Sequence, residues 1–467
     1  MKLLHLFFAA SLTVIMATGQ IADGQVANKH IKNATAIGEV FGDGERITAV
    51  ILEYDHEVDN AKLLAQEFSV KERNIVKVYA NTNEAKAEHG ANGRFVVIEL
   101  NPEDKASRII PGFSGFGGPG GQGGPDGPSG PGGPGGPGGP SAGTNGANAN
   151  GRPLMGTRMG MGGGRNPVKA TVTQVGDLVA VNGEKIPADH NAFETTKAKN
   201  LIVDDFQQLV FKDPENGNVV KYNLYVPRNY DKTKSYPMVL FMHDAGVDSE
   251  EHDRTLVQGL GAVVWARPED QAKHPSFVLA PQMNGPTTSN EIETTSLADS
   301  IYHLLKYVVG QYSIDQKRLY TTGQSGGCMA SIAFNIKYPD LFAASLFVAG
   351  QWNPQATAPL INRKIWIIVS EGDERAYPGM NAIVAVWGKE GAKITRGRWS
   401  AREPQDVQAA NVSRMISEHN NLMYTNFIKG TCLPPEQANS GAQEHMASWQ
   451  FAYDIPSVRD WLFAQSK

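Results

Sequence analysis

One short segment constrains the fold of this chain more than any other. A β-forming run, Leu319–Thr322, leads into Gly323-Gln-Ser-Gly-Gly327, and a helical-looking segment with small residues follows. This is the pattern G-x-S-x-G between a strand and a helix, and in that setting it predicts a sharp turn that exposes the serine, a nucleophile elbow. Glycines suit the turn because its backbone is strained and the helix must pass close behind the strand. The pentapeptide alone is weak evidence in a chain with 50 glycines, so other segments must supply partners for Ser325.

The part of the chain after residue 200 alternates between strand-like and helix-like segments. A hairpin around the turn Pro214-Glu-Asn-Gly217 comes first. Apolar strands that alternate with amphipathic helices predict a mostly parallel sheet with helices on both faces. The strand candidates are Met238–Met242, Phe277–Ala280, Arg318–Thr322, Ala344–Val348 and Ile365–Val369, and the helix candidates include Leu297–Gln311, Cys328–Lys337 and Pro456–Gln465.

The part before residue 200 has the alternating pattern of short strands, which predicts a small all-β sandwich. The pattern runs over residues 35–110 and resumes at 168–181. Between them lies the stretch 112–165, in which glycine occupies every third position from Gly115 through Gly139, often followed by proline. A collagen helix is the alternative, but the tract is short and its register ends at Ala142, so we expect a flexible insertion. The predicted domains are therefore 27–200, interrupted at 112–165, and 201–467, which fits a 467-residue chain.

The first 19 residues predict secretion or export to a periplasm. Lys2 precedes the apolar run Leu3–Met16, and small residues follow, as in a signal peptide. No later stretch has the roughly 20 apolar residues of a membrane span. A net charge of -5 argues against nucleic acid and anionic membrane surfaces as partners. In an oxidising compartment Cys328 and Cys432 are candidates for one disulfide, and two buried thiols are the alternative.

A serine nucleophile needs an imidazole base and a carboxylate that orients it, and after this motif they follow in the order Ser, Asp or Glu, His. The acid is expected after the strand Ile365–Val369, where Asp373 is the first choice and Glu374 the alternative. The histidines beyond that loop are His419 and His445. His445 lies in a loop just before the closing helix and is preferred, whereas His419 falls in an amphipathic run typical of a surface helix.

An oxyanion hole is expected from two backbone N–H groups. One belongs to Gly326, and the other to Asp244 or Ala245 in the loop His243-Asp-Ala-Gly246. A carboxylate that faced the developing oxyanion would destabilise it, so we expect the Asp244 side chain to point away. The remaining histidines precede Ser325 and are predicted to be structural.

Longer motifs resemble a known family. The segment from Tyr312 to Gly327, together with Tyr338-Pro-Asp-Leu-Phe-Ala343 and Arg459-Asp-Trp-Leu462, is similar to predicted peptidases related to polyhydroxybutyrate depolymerases and feruloyl esterases. Gly42–Tyr54 resembles the immunoglobulin-like N-terminal domain of some bacterial esterases. The resemblance implies an α/β-hydrolase preceded by an all-β immunoglobulin-like sandwich. It also implies Ser325 as nucleophile, an acid in the Asp373 loop and His445 as base.

Two residues depart from the family's usual pattern at the predicted oxyanion hole. Gly326 stands where a bulky residue, often methionine, is usual, and Asp244 stands where glycine is usual. Neither change removes a catalytic group.

The expected activity is hydrolysis of small or polymeric carboxylic esters through an acyl-enzyme, with no metal or cofactor. A serine peptidase with the same residues is one alternative. A non-catalytic surface or polymer-binding protein with a degenerate hydrolase domain is the other. The β domain is a candidate for covering the active-site mouth, binding a polymer or forming a homo-oligomer.

Overall fold

A computed structural model describes residues 29–109, 166–288, 293–440 and 443–467. The predicted signal peptide at 1–19 and the Gly/Pro-rich tract at 112–165 lie outside these ranges. The first part of the described chain is built of strands and short 3-10 turns. Its strands are β1 (Ile31–Phe41), β2 (Gly44–Val58), β3 (Phe68–Val70), β4 (Ile75–Asn81), β5 (Gly93–Leu100), β6 (Thr171–Gln174), β7 (Leu178–Val179), β8 (Lys185–Ile186), β9 (Ala192–Glu194) and β10 (Lys197–Asn200).

These strands form a sandwich. A five-stranded sheet in the order β10-β1-β2-β5-β4 and a three-stranded sheet in the order β3-β6-β9 contribute to one buried apolar cluster. Within the larger sheet only β1 and β10 pair in parallel. Strand β1 begins at Ile31, before residue 35 where the predicted β pattern starts. Its buried residues there include Ala34, a small side chain that gives a weak apolar signal.

Strands from both sides of the Gly/Pro-rich tract belong to the same sandwich. Strand β3 precedes the tract and pairs with β6, which follows it. The described residues that flank the tract, Ile109 and Asn166, are joined by a backbone hydrogen bond of 2.9 Å. The chain therefore leaves and re-enters the sandwich at one place. We retain 27–200 and 201–467 as the proposed domain boundaries.

The second part of the described chain alternates strands and helices. Its strands are β11 (Phe206–Lys212), β12 (Val219–Tyr225), β13 (Tyr236–Met242), β14 (Phe277–Gln282), β15 (Ile314–Gln324), β16 (Ala344–Val348), β17 (Ile365–Ser370), β18 (Ile394–Trp399) and β19 (Leu422–Phe427). Its helices are α1 (Arg254–Val257), α2 (Leu260–Val263), α3 (Pro268–Lys273), α4 (Ser296–Gln311), α5 (Gly326–Lys337), α6 (Ala376–Lys389), α7 (Gln405–Ile416), α8 (Ala447–Tyr453) and α9 (Pro456–Phe463).

These nine strands form one sheet in the order β11-β12-β14-β13-β15-β16-β17-β19-β18. Strand β12 pairs antiparallel with both β11 and β14. All pairings from β14–β13 to β19–β18 are parallel. Two buried apolar clusters cover the two faces of the sheet. The predicted fold class is confirmed. Because the carboxyl ends of parallel strands meet at one edge, the residues that follow β13, β15 and β17 come together there.

The sandwich touches the second part of the chain close to this edge. The β1–β2 turn places Gly42 so near α8 that an added Cβ would lie 2.1 Å from Cβ of Gln450. Helix α8 begins two residues after His445. In the described part of the chain, no helix is long and apolar enough to cross a membrane.

Candidate active site

Ser325 stands on a strained turn between β15 and α5. Its backbone φ is 52°, in the left-handed region that residues other than glycine rarely adopt. The Ser325 N–H donates to the carbonyl of Val348 at 3.1 Å, which ties the turn to the neighbouring strand. Such strain persists only where the surrounding structure holds it, and it is common at functional sites. The serine is therefore held at the carboxyl edge of the sheet.

Two glycines let the helix lie against the strands behind this turn. An added Cβ at Gly327 would lie 1.9 Å from the carbonyl oxygen of Met242, and one at Gly323 would lie 2.5 Å from the Gly327 carbonyl. No side chain fits at either position without moving backbone atoms. The glycines of the motif thus serve close packing, as the sequence predicted.

Ser325, His445 and Asp373 are hydrogen-bonded in series. The Ser325 Oγ and His445 Nε2 atoms are 2.9 Å apart, and His445 Nδ1 is 2.5 Å from Asp373 Oδ2. Since a carboxylate accepts at Nδ1, the proton belongs on that nitrogen and Nε2 is left to accept from the serine hydroxyl. The His445 ring is 30% exposed, whereas Asp373 is 1% exposed. The histidine can therefore meet a ligand while its carboxylate partner stays dry.

The start of α6 holds Asp373 in place. Its Oδ1 atom accepts hydrogen bonds from the backbone N–H groups of Arg375 at 3.0 Å and Ala376 at 2.8 Å. Burial by itself would raise the pKa of Asp373, but the hydrogen bond and charge of His445 and these two N–H groups lower it below its usual range. The carboxylate is therefore ionised and fixed in orientation.

The alternative acid and base lie elsewhere. Glu374 is exposed. His419 is also exposed and lies in the turn beyond α7, with a φ of 55°, rather than inside the helix. Of the acids and histidines that the sequence offered as partners of Ser325, the structure brings Asp373 and His445 together with it.

Glu444 is a further residue of the site that sequence reasoning missed. It is buried, and its Oε2 atom accepts from the Ser370 hydroxyl at 2.8 Å. Its Oε1 atom accepts from the Gly430 N–H at 2.5 Å. The side chain thus ties the loop that carries His445 to the turn that carries Asp373. In the sequence, its distinguishing feature is its position beside His445. That position does not show that the Glu444 side chain is buried.

Gly372 provides the space for this carboxylate, because an added Cβ would lie 2.0 Å from Glu444 Oε1. We expect Gly372→Ala to displace Glu444 and to lower kcat/KM for an ester by about 10–100-fold through misplacement of His445 and Asp373. Gly388→Ala is the matched control, since Gly388 lies in α6 with no atom near an added Cβ. Steady-state kinetics of both variants check this, and unchanged activity in Gly372→Ala would contradict the positioning role.

The loop after β13 lies beside the start of α5. An added Cβ at Gly326 would lie 3.1 Å from the backbone nitrogen of Ala245, so little space separates the two segments. Asp244 turns its Oδ1 atom to the Gly246 N–H at 2.8 Å, capping the 3-10 turn that begins at Ala245. Burial raises the pKa of Asp244, outweighing the opposite effects of Gly246, His445 and Gln324. A carboxyl group that ionises less readily brings less negative charge to this region.

His243 orients the peptide that joins Asp244 to Ala245. Its ring is buried, and Nε2 accepts from the Met283 N–H at 2.8 Å. Nδ1 therefore carries the proton and donates to the Asp244 carbonyl at 2.7 Å. That carbonyl and the Ala245 N–H belong to the same peptide plane. The histidine thus has the structural role that the sequence predicted, and it sets the direction of one N–H group in the site.

The His243 ring also predicts a pH dependence of folding. Burial lowers its pKa from 6.5 to about 4, so the folded state keeps it neutral where the unfolded chain protonates it. Its contribution to stability is complete above pH 6.5 and is lost as the pH falls toward 4, a total of about 3 kcal/mol. Urea unfolding between pH 7 and 4.5 should show a weaker pH dependence for His243→Gln than for the wild type. Parallel pH profiles would contradict this.

The two cysteines are free thiols, and both are buried. Of the two alternatives that the sequence left open, a disulfide or two buried thiols, the structure has the buried thiols. Cys328 lies on α5, where its Sγ atom packs against Gly350. Cys432 faces Ser370 and Glu444. The thiols have separate surroundings, and burial raises the pKa of each.

The fold and this geometry define a class. A serine on a strand–turn–helix elbow, hydrogen-bonded through a histidine to a buried carboxylate at the carboxyl edge of a mostly parallel sheet, is the arrangement of the α/β-hydrolases.

Comparison with known proteins shows which α/β-hydrolases this chain is similar to. Residues 33–187 match the esterase immunoglobulin-like N-terminal domain. The crystal structure of a thermostable esterase superposes with a TM-score of 0.71 at 26% identity, covering 93% of this chain and all of that one. The probable feruloyl esterase C of Aspergillus terreus is 28% identical over 137 residues, which is 29% of this chain and 48% of that protein. Acetylxylan esterase A of Emericella nidulans is 38% identical over 53 residues, 11% of this chain and 17% of that protein.

The chain spans less than half the length of these two curated relatives. Its fold is that of an α/β-hydrolase, preceded by a region similar to the immunoglobulin-like N-terminal domain of esterases. The resemblance to esterases with an immunoglobulin-like N-terminal domain, which was stated from the sequence, is confirmed.

Proposed function

We propose that this protein is an exported serine hydrolase that cleaves carboxylic esters through a triad of Ser325, His445 and Asp373. The observation that carries the proposal is the pair of hydrogen bonds, 2.9 Å and 2.5 Å long, that link these side chains in series. The names of the similar proteins, a thermostable esterase and feruloyl and acetylxylan esterases, support an ester as the substrate. The predicted signal peptide supports export.

Acylation begins when Ser325 Oγ attacks the ester carbonyl carbon and His445 Nε2 takes the hydroxyl proton. The oxyanion that forms is stabilised by the backbone N–H groups of Gly326 and Ala245. Each of these residues opens a helical turn, where N–H groups have no partner within the helix. His445 then protonates the departing alkoxide, and the acyl group remains bonded to Ser325.

Deacylation repeats these steps with water as the nucleophile. His445 Nε2 takes a proton from water, the hydroxide adds to the acyl carbon, and collapse of the intermediate returns the proton to Ser325 Oγ as the acid leaves. Asp373 stays ionised throughout. It holds the imidazole in the tautomer with the proton on Nδ1 and stabilises the imidazolium that forms.

Ala245, rather than Asp244, is the donor that we assign from the loop after β13. The Asp244 N–H interacts with its own carboxyl group. The Ala245 N–H belongs to the peptide that His243 orients through its hydrogen bond to the Asp244 carbonyl. The sequence left Asp244 and Ala245 open as the second N–H donor, and we assign Ala245.

A substrate panel tests the proposed reaction. The wild-type protein is assayed for kcat/KM on p-nitrophenyl acetate, methyl ferulate, acetylated xylan and an unblocked peptide amide, with Ser325→Ala as the background. We expect at least one ester to exceed the peptide by about 100-fold or more, since amine leaving groups are poorer than alkoxides. Peptide cleavage at a comparable kcat/KM would make the protein a peptidase. No turnover of any substrate above the Ser325→Ala background would favour a non-catalytic binding protein.

A further inference from the structure

Two histidines and an aspartate meet on the N-terminal sandwich, far along the chain from Ser325. His30 immediately precedes β1, and Asp55 and His56 lie near the end of β2. His30 Nδ1 is 3.2 Å from Asp55 Oδ2, and His56 Nδ1 is 2.6 Å from Asp55 Oδ1. One nitrogen or oxygen from each of the three side chains lies within 4.8 Å of the others. The three side chains are between 19% and 31% exposed, so an ion could reach them from solvent.

The backbone makes this arrangement possible. Successive side chains on a regular strand point to opposite faces, so Asp55 and His56 would normally diverge. Here the pairing of β2 with β5 is interrupted between Glu53 and Val58. The Asp55 N–H donates to the His30 carbonyl at 3.0 Å, which holds the two chain segments side by side. An irregular strand end therefore turns neighbouring side chains toward one point.

A second carboxylate lies behind His56. The Nε2 atom of His56 is 3.4 Å from Glu184 Oε2, while its Nδ1 atom faces Asp55. A histidine that ligates a metal through one nitrogen commonly donates its other N–H to a carboxylate, which fixes the tautomer and the ring orientation. Glu184 is placed to take this role toward His56.

We propose that His30, Asp55 and His56 bind one divalent transition-metal ion of the zinc type, with Glu184 as the outer partner of His56. Two imidazoles and one carboxylate suit zinc and similar ions, whereas magnesium and calcium prefer oxygen ligands. Ligand atoms around a tetrahedral zinc ion at about 2.0–2.1 Å are roughly 3.3 Å apart. The His30–Asp55 separation already fits that spacing, and a small rotation of the His56 ring opens the shorter contact.

Such an ion would act on the sandwich rather than on the ester chemistry. It would tie the start of β1 to the end of β2. Residues next to His56 already hold the β7–β8 hairpin, since the Val181 N–H donates to the Glu57 carbonyl at 2.8 Å and the Asp59 N–H donates to the Val179 carbonyl at 2.9 Å. The metal would therefore join β1, β2 and, through Glu184, this hairpin. Its expected effect is resistance of the N-terminal domain to unfolding.

The test uses the full-length protein, freed of any affinity tag and stripped with a chelator. Isothermal titration with Zn²⁺ should give one site per chain, and saturation should raise the thermal midpoint by several degrees, since an ion that binds the folded state stabilises it. His56→Asn should weaken that site by at least about tenfold, as should Asp55→Asn. Mg²⁺ and Ca²⁺ should leave the midpoint unchanged.

His89→Asn is the matched control, because His89 is an exposed histidine of the same domain beside Glu88. It should bind Zn²⁺ as the wild type does. The midpoints measured in chelator show whether each variant is folded before metal is added. Absence of a saturable site, or equal Zn²⁺ binding by the wild type and both cluster variants, would overturn the proposal and leave Asp55 as the partner of two histidines in a plain hydrogen-bonded cluster.

Discussion

Replacing Ser325 with alanine should lower kcat/KM for p-nitrophenyl acetate by at least about 10⁴-fold. The reason is chemical. Ser325 Oγ is the atom proposed to bond to the acyl carbon, and its hydrogen bond of 2.9 Å to His445 Nε2 is the route by which the proton leaves. Any activity that remains would come from substrate binding and the backbone N–H groups acting on water.

The stability of this variant separates a chemical effect from a folding effect. Alanine and serine are strained alike at a φ of 52°, so Ser325→Ala should keep the wild-type thermal midpoint. Ser325→Gly should raise stability by roughly 1 kcal/mol, since glycine adopts this φ without strain, and it should be equally inactive. Activity within tenfold of the wild type in either variant would contradict the assignment of the nucleophile.

Replacing Asp373 with asparagine should lower kcat by roughly 10³–10⁴-fold with little change in fold. The two side chains have the same shape, and an amide oxygen can still accept from the N–H groups of Arg375 and Ala376. The amide NH₂ group, however, would face His445 Nδ1 and donate to it. The imidazole proton would then move to Nε2, where it prevents the ring from accepting the proton of Ser325.

Glu374→Gln is the matched control for this second substitution. It removes the charge of the neighbouring, exposed acid, so its kcat should stay within about threefold of the wild type because surface charges of this kind contribute little. Both variants are compared at pH 7 on the same ester. If Glu374→Gln loses activity and Asp373→Asn retains it, the acid of the triad has been misassigned.

Much of the fold and the three triad candidates could be predicted from the sequence because they depend on local patterns. The strand at Ala344–Val348 is a short apolar run, and the structure gives it the same bounds. Asp373 and His445 were preferred from their order after Ser325 and from the loops that carry them. Chain order constrains a triad because each partner follows a particular strand of the sheet.

The features that sequence reasoning missed depend on contacts between distant segments. In the sequence, Glu444 is one more acidic residue in a loop. Its role is visible only in the structure, where its side chain accepts hydrogen bonds from Ser370 and Gly430. The sequence could not decide between a Cys328–Cys432 disulfide and two buried thiols, because the spacing of two cysteines along a chain does not give their separation in space. The role of His243 in orienting a peptide likewise depends on Met283, 40 residues further along the chain.

The two departures from the family pattern, at Gly326 and Asp244, lie close together in the structure, beside the proposed oxyanion hole. A Cβ at position 326 would lie 3.1 Å from the Ala245 nitrogen, so Gly326 avoids a tight contact with that residue. Asp244 uses its carboxyl group to cap the turn that presents Ala245. The glycine at position 326 and the capping residue at position 244 thus both act on the proposed pair of donors, the N–H groups of Gly326 and Ala245.

Covalent labelling most directly tests whether Ser325 is an activated nucleophile. The full-length protein is treated with a fluorophosphonate, and the adduct is measured by intact mass and located by peptide mapping. We expect one adduct per chain on Ser325, none in Ser325→Ala, and much slower labelling in Asp373→Asn than in Glu374→Gln. Failure of the folded wild-type protein to label, or an adduct on a residue other than Ser325, would contradict the proposed mechanism.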